Sequence, residues 1–280
     1  MLGRAWTELL TARDIPFDIA DLAQGDLTNP SDVQRLITQH HTHVVNTAAW
    51  TDVDGAEAHE PEATLINGAA VANLAARCAQ TGAHLTHYST DYVFNGHATS
   101  PYPTDAPRDP VNAYGRSKAA GEIALEQSAA TWLCVRTSWL YAPWGANFVR
   151  TIAKLASERD SLRVVSDQRG CPTSATRLAH TTLALIDTSA TGLHHATDGG
   201  GPGGCSWFDF ATRIAAAVSP ACRVEPCTSA EFPRPAARPA YAVLDLSQTE
   251  ALVGPMVPWE HALDEVLETL ATGTAGPTGP

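Results

Sequence analysis

Positive charge is scarce in this 280-residue chain: Lys and Arg together number 18 against 30 Asp and Glu, for a formal net charge of -12. A balance of that sign disfavours a nucleic-acid partner, whose phosphates need a basic face, although a small phosphate-bearing ligand needs only a few local donors. Long apolar runs are missing too. No stretch approaches a membrane span, and Met1-Leu2-Gly3-Arg4-Ala5-Trp6 lacks the apolar core of a signal peptide; no membrane partner is expected, and the cytoplasm is the expected compartment. The six cysteines, Cys78, Cys134, Cys171, Cys205, Cys222 and Cys227, have neither the paired spacing of a zinc site nor the density of a disulfide scaffold, so they read as reduced and mostly buried. His40-His41-Thr42-His43 offers imidazoles, but it closes a helix and enters a strand, which makes it a polar connector rather than a metal site.

What is present is an ordinary globular composition, 44% hydrophobic and 17% charged, long enough for a nucleotide-binding domain with a smaller lobe built on it. The first half alternates helical and strand patterns. Residues 4–13 read as a helix, Phe17 to Ala20 as a short strand, Ser31 to His40 as a helix and His43 to Ala49 as a buried strand running into a small-residue turn. Glu62 to Thr81 reads as one long amphipathic helix, His84 to Ser89 as a strand, 114–128 as a helix and Trp132 to Arg136 as a strand. That order predicts an α/β fold, a Rossmann-like doubly wound parallel sheet over residues 1–141, with right-handed crossovers. Residues 142–270 are expected to form a smaller C-terminal substrate-binding lobe with some elements returning to the sheet, and 271–280 a flexible tail.

One further feature is lacking. Doubly wound dinucleotide folds open with a strand and a glycine-rich turn whose helix holds a pyrophosphate, whereas this sequence opens on a helix, with Met1-Leu2-Gly3 standing where the end of such a turn would be. The expectation drawn from this is a start assigned to an internal methionine, or a truncated chain, with a poor pyrophosphate cradle and weak cofactor binding.

Three segments carry candidate chemistry. Tyr114-Gly115-Arg116-Ser117-Lys118 begins a helix, and residues four apart share a helical face. An ammonium beside a phenol favours the phenolate, so Lys118 is expected to bring Tyr114 below its ordinary value of about 10 and let it exchange a proton with a substrate oxygen. Two unremarkable surface residues are the bland alternative. Thr86-His87-Tyr88-Ser89-Thr90-Asp91-Tyr92 is a strand ending in a hydroxyl-rich turn, at the sheet end where ligands sit in open α/β folds; turn capping is the alternative for Ser89 and Thr90. Asn46-Thr47-Ala48-Ala49-Trp50-Thr51-Asp52 ends another strand, and its small residues admit a flat ring or ribose, or else simply pack against a helix.

Together these segments resemble the dTDP-4-dehydrorhamnose reductase family, in the stretches Asn-x-Ala-Ala-x-Thr-x-Val-Asp-x-Ala-Glu, Ser-Thr-Asp-Tyr-Val-Phe-x-Gly and Tyr-Gly-x-Ser-Lys-x-x-Gly-Glu. The likeness continues through Arg136 to Tyr141, Asp167 to Thr173, Ser206 to Ala211 and Phe232 to Asp245, nearly the whole chain. It implies that Thr90, Tyr114 and Lys118 form the catalytic set for reducing the C4 ketone of a dTDP-4-keto-6-deoxy sugar, with NADH or NADPH as cofactor. It also implies that Asp26 and Leu27 lie along the adenine, Ala49, Trp50 and Thr51 along the middle of the cofactor, and Tyr88 near the nicotinamide. Leu2 belongs to what remains of the pyrophosphate site, and Thr90, Asp91 and Trp139 meet the sugar nucleotide. Asp21 and Asp26, with no arginine immediately after the second strand, slightly favour NADH. The resemblance further implies a homodimer and sometimes magnesium, for which the sequence shows no site. Asn95 and Trp50 depart from the family pattern without removing a catalytic group. Two alternatives stay open: a non-catalytic regulatory or scaffold subunit of the same fold, and a sugar-nucleotide epimerase or dehydratase.

Overall fold

The computed structural model describes residues 1–273. In chain order the first half runs α1 (Leu2–Ala12), α2 (Pro30–Leu36), β1 (His43–Asn46), the short α3 (Gly55–Ala58) and α4 (Glu60–Thr64), a π-helical turn (Leu65–Ala69), α5 (Ala70–Thr81), β2 (His84–Thr90), a 3-10 turn (Asp91–Val93), α6 (Ala113–Glu126) and β3 (Trp132–Thr137). The second half runs β4 (Leu140–Tyr141), α7 (Phe148–Glu158), β5 (Ser161–Val165), β6 (Arg169–Gly170), β7 (Thr173–Ser174), α8 (Ala175–Asp187), β8 (Gly192–His195), β9 (Cys205–Ser206), α9 (Trp207–Val218), β10 (Arg223–Cys227), α10 (Ser247–Val253) and α11 (Trp259–Thr272).

Four of these strands form one parallel sheet in the order β1-β2-β3-β8. Parallel neighbours need crossovers, and helices on both faces supply them. On one face α1 and α8 bury Leu2, Trp6, Leu9, Leu178 and Leu185 against Leu133 and Val135. On the other, Val33, Val71, Leu74 and Leu125 close over Leu85 and Cys134. Six of the seven β2 residues are buried, as expected of a strand covered on both faces. The lobe is built on a parallel β5–β10 pair, with Phe210, Ile214, Val149 and Leu263 at the centre of its core. Among the described residues no helix is long and apolar enough to cross a membrane.

The structure corrects several boundaries read from the sequence. Phe17 to Ala20 has no ladder partner among the described residues. It runs beside a groove of about 630 Å³ that separates it from the outer edge of β1, so no strand lies within hydrogen-bonding reach. Glu62 to Thr81 is not one regular helix: the π-helical turn at Leu65–Ala69 interrupts it, because Asn67 and Gly68 pack against α6, where an added Cβ on Gly68 would sit 3.0 Å from Ala120. The helix expected to reach His40 ends at Leu36. Of the expected tail, Ala271 and Thr272 belong to α11, and residues 274–280 lie outside the described residues.

Candidate active site

The carboxyl ends of β1, β2 and β3 lie side by side, the register setting Asn46 opposite His87 and Thr90 opposite Thr137. Chain geometry alone therefore gathers at one sheet end the segments that the sequence singled out. Thr90 ends β2 and caps the 3-10 turn: its hydroxyl donates to Asp91 Oδ1 at 2.9 Å and accepts the Tyr92 N–H at 3.2 Å. The capping alternative is thus realised, and the same hydroxyl lies near enough to the Tyr114 phenol to act on its proton affinity.

Tyr114 is delivered by the start of α6. Asn112 caps that helix by accepting the Gly115 N–H at 2.7 Å, a favoured arrangement for a short polar side chain. Gly115 is needed there because an added Cβ would fall 2.1 Å from the Tyr92 carbonyl oxygen. That close approach sets the Tyr92 and Tyr114 rings edge to face, 5.8 Å apart. One turn further along α6, Lys118 Nζ donates to the Tyr88 carbonyl at 2.6 Å and lies 3.3 Å from His87 Nε2.

The electrostatics differ from the sequence expectation at one point. Burial pushes the Tyr114 phenol up to about 12, with the nearby Asp91 carboxyl adding to the rise and the Thr90 hydroxyl opposing it. Lys118 does not bring it down, because its Nζ is turned onto β2. The phenol is therefore protonated at neutral pH. Burial also lowers Lys118 to about 8 and raises Asp91 to about 7, since removal from water penalises whichever form is charged. Asp91 Oδ2, Thr137 Oγ1 and Thr173 Oγ1 are buried with no hydrogen-bond partner among the described residues. Buried polar atoms are ordinarily paired, so this mouth suits a hydroxyl-bearing ligand better than an apolar one.

The remaining expected site residues are spread more widely. Ala49, Trp50 and Thr51 follow β1, half-buried or exposed, and Asn67 holds them: it accepts the Trp50 N–H at 2.9 Å and donates to the Trp50 carbonyl and to Ser117 Oγ. Tyr88 is buried and its hydroxyl is taken by Trp6 Nε1 at 2.8 Å, which leaves its carbonyl, already bound to Lys118, on the site side. Asp26 is exposed and accepts from Thr28, while Leu27 packs beneath α5. Leu2 is buried in the core between α1 and α8, so its side chain offers no ligand surface. Trp139 has φ 47°, uncommon for a non-glycine residue, and its indole stacks on Trp207 at 3.6 Å. Among the described residues no group of three or more His, Cys, Asp or Glu could hold a metal ion; the magnesium implied by the resemblance has no ligand set here.

Sequence reasoning passed over three contributors: the Asn67 bridge, the buried Glu122–Arg136 pair and the arginines on Asp54. Glu122 was the most accessible of them, since a carboxylate four residues after Lys118 shares its inward helical face. Asn67 and the arginines act across 17 to 184 residues of sequence, a separation with no local signal.

A family model described as the RmlD substrate binding domain matches residues 1–272. A curated dTDP-4-dehydrorhamnose reductase of Streptomyces griseus is 40% identical over 286 residues, covering 99% of this chain and 92% of the relative. A curated dTDP-4-keto-6-deoxy-D-glucose reductase of Streptomyces niveus is 38% identical, covering 96% of this chain and 94% of the relative. Among solved structures, a dTDP-4-dehydrorhamnose reductase of Bacillus anthracis in complex with NADP is similar with a TM-score of 0.90 at 35% identity, covering 95% of each chain. This chain therefore belongs to the family described as the RmlD substrate binding domain.

Proposed function

We propose that this protein reduces the C4 ketone of a dTDP-4-keto-6-deoxy sugar, dTDP-4-dehydro-L-rhamnose or a related deoxysugar, to the 4-hydroxy product, using NADH or NADPH. The observation that carries the reading is the half-buried Tyr114, its phenol held protonated by desolvation, beside the Thr90 hydroxyl at the carboxyl end of the sheet. Relatives covering almost the whole chain bear names of that activity. Two are named for different sugars, so the choice among 4-keto sugars stays within the proposal.

Outside the pyrophosphate cradle, for which the expectation of weak binding stands, the residues present fit a nicotinamide dinucleotide. Ala48 and Ala49 present little side chain at the end of β1, and Lys118 reaches the same sheet end through His87 and Asn46. Ala49, Trp50 and Thr51 would hold the middle of the cofactor, Asp26 and Leu27 its adenine, and Tyr88, Tyr114 and Lys118 its nicotinamide half, with Leu2 contributing backbone alone. When bound, the reduced nicotinamide supplies the hydride. The protein's task is then placement and proton supply. Thr90 and Tyr114 hold the ketone oxygen, and Tyr114 passes its phenolic proton to that oxygen as negative charge develops there. Asp91 and Trp139 are assigned to the sugar nucleotide. The homodimer implied by the resemblance and a cytoplasmic location remain part of this reading.

Tyr114→Phe removes only the transferable proton. Its kcat for a dTDP-4-keto sugar should fall by about 10² to 10⁴-fold, while NADPH affinity measured by calorimetry stays close to that of the parent. Undiminished turnover would remove Tyr114 from the mechanism, and a folded parent protein that turns over no 4-keto sugar would favour the scaffold reading.

A further inference from the structure

The chain holds only two lysines, Lys118 and the exposed Lys154, and the surroundings of Lys118 fix more than its position. Nζ lies 2.6 Å from the Tyr88 carbonyl oxygen and 3.3 Å from His87 Nε2. The His87 ring is buried, with Nδ1 3.0 Å from Asn46 Nδ2. Asn46 Oδ1 accepts the Ala48 N–H at 3.1 Å. A backbone N–H can only donate, so that contact decides which end of the Asn46 amide is oxygen and turns its NH2 toward His87. Nδ1 is then an acceptor, and the neutral ring carries its single proton on Nε2, aimed at Lys118. An N–H facing an ammonium sets two donors against each other, whereas facing an amine it meets a lone pair.

We propose that His87 is a positioning residue that presents an Nε2–H to Lys118 and so favours the neutral amine over the ammonium. The opposite state, an ammonium donating to Nε2, would require the ring proton on Nδ1 and a reversed Asn46 amide, at the expense of the Ala48 hydrogen bond. Burial acts in the same direction, lowering Lys118 and keeping His87 neutral. The other groups around Lys118 oppose it or are neutral: Cys134 from β3 and Glu122 from α6 favour the ammonium, Glu122 being itself paired with Arg136 and Arg108; Asn46 from β1 is uncharged and the Tyr114 phenol is protonated.

With two lysines, the protein labelled with ¹³C-lysine gives two side-chain Cε signals, and Lys154 serves as the internal reference. Lys118 should titrate well below Lys154. In His87→Gln, whose amide offers a carbonyl oxygen to Nζ, the Lys118 midpoint should rise by about one pH unit with Lys154 unmoved; a folded His87→Gln protein with an unmoved Lys118 midpoint overturns the proposal, since a ring that only fills space leaves the midpoint alone. The unsubstituted protein gives a second reading: a long-range ¹H–¹⁵N spectrum should show His87 protonated at Nε2, and protonation at Nδ1 overturns the proposal without any variant. Both measurements use neither substrate nor cofactor, so they stand or fall separately from the reductase reading.

Discussion

Asp198 shows how a single buried carboxyl links this protein to pH. Its Oδ2 accepts the Ser174 N–H at 2.8 Å and the Tyr141 hydroxyl at 3.3 Å, yet burial outweighs these bonds and raises it from 3.8 to about 7. A carboxyl held above its ordinary value binds its proton more tightly folded than unfolded. Its stabilising contribution is therefore complete below the unfolded value and is lost as pH rises through the folded one, and Asp91, raised to about 7 by burial, has the same sign. The melting temperature should fall between pH 5 and pH 8 by about 5 °C, and Asp198→Asn, which keeps an acceptor but cannot ionise, should flatten that slope in calorimetric scans across the range. Tyr114 obeys the same burial rule, which keeps its phenol protonated at neutral pH.

At the scale of elements, α6 depends on an ion pair that its sequence motif does not advertise. Glu122 on α6 and Arg136 on β3 are both almost completely buried and joined by two hydrogen bonds, of 2.8 and 2.7 Å. Arg136 continues to the Thr104 carbonyl at 3.0 Å, and Arg108 reaches Glu122 from outside at 3.2 Å. The pair pins the helix that carries Tyr114 and Lys118 to the sheet. Glu122→Gln leaves the guanidinium buried beside a neutral partner, so unfolding by denaturant should show a loss of about 3 to 5 kcal/mol. Replacing both partners by apolar residues of similar volume should recover much of that loss. Gly121 belongs to the same packing: an added Cβ would fall 2.2 Å from the Asn67 carbonyl oxygen, so the π-helical turn and α6 meet backbone to backbone.

For the whole molecule, Asp54 ties the chain that follows β1 to the distant proline-rich segment around Arg234 to Arg238. Its carboxylate accepts from Arg234 Nε at 2.9 Å, Arg238 at 2.6 Å and the Ala236 N–H at 3.1 Å, and Arg238 holds it well below the usual carboxylate range. Asn112, the cap of α6, donates to the Ala237 carbonyl at 2.7 Å, so the proline-rich segment rests on the residues that deliver Tyr114. Asp54→Ala frees that segment while leaving the cofactor-side residues untouched. In steady-state kinetics the KM for the sugar nucleotide should rise by about tenfold, equivalent to about 1.4 kcal/mol, with NADPH affinity changed far less; an equal loss of both would show that Asp54 supports the whole fold rather than the sugar side.

The amino-acid sequence by itself determined the fold class and singled out the groups proposed to react. Alternating helical and strand periods specify crossovers and a parallel sheet, and Tyr114 and Lys118, four apart on one helix, share a face wherever that helix packs. Motif order then placed Thr90 and the Asn46 to Thr51 turn at strand ends, where parallel sheets gather ligand-facing loops. Tertiary structure alone decided proton affinities and long-range ties. Lys118 was expected to act on Tyr114 because helix geometry makes them neighbours; the sheet instead supplies the Tyr88 carbonyl and His87, and burial raises the phenol where proximity to a cation would lower it. Phe17 to Ala20 has a strand's composition but no ladder among the described residues, and Glu62 to Thr81 has a helix's period but a π-helical break. A hydrogen bond or a close backbone approach depends on what stands opposite in space, and local sequence carries no record of it.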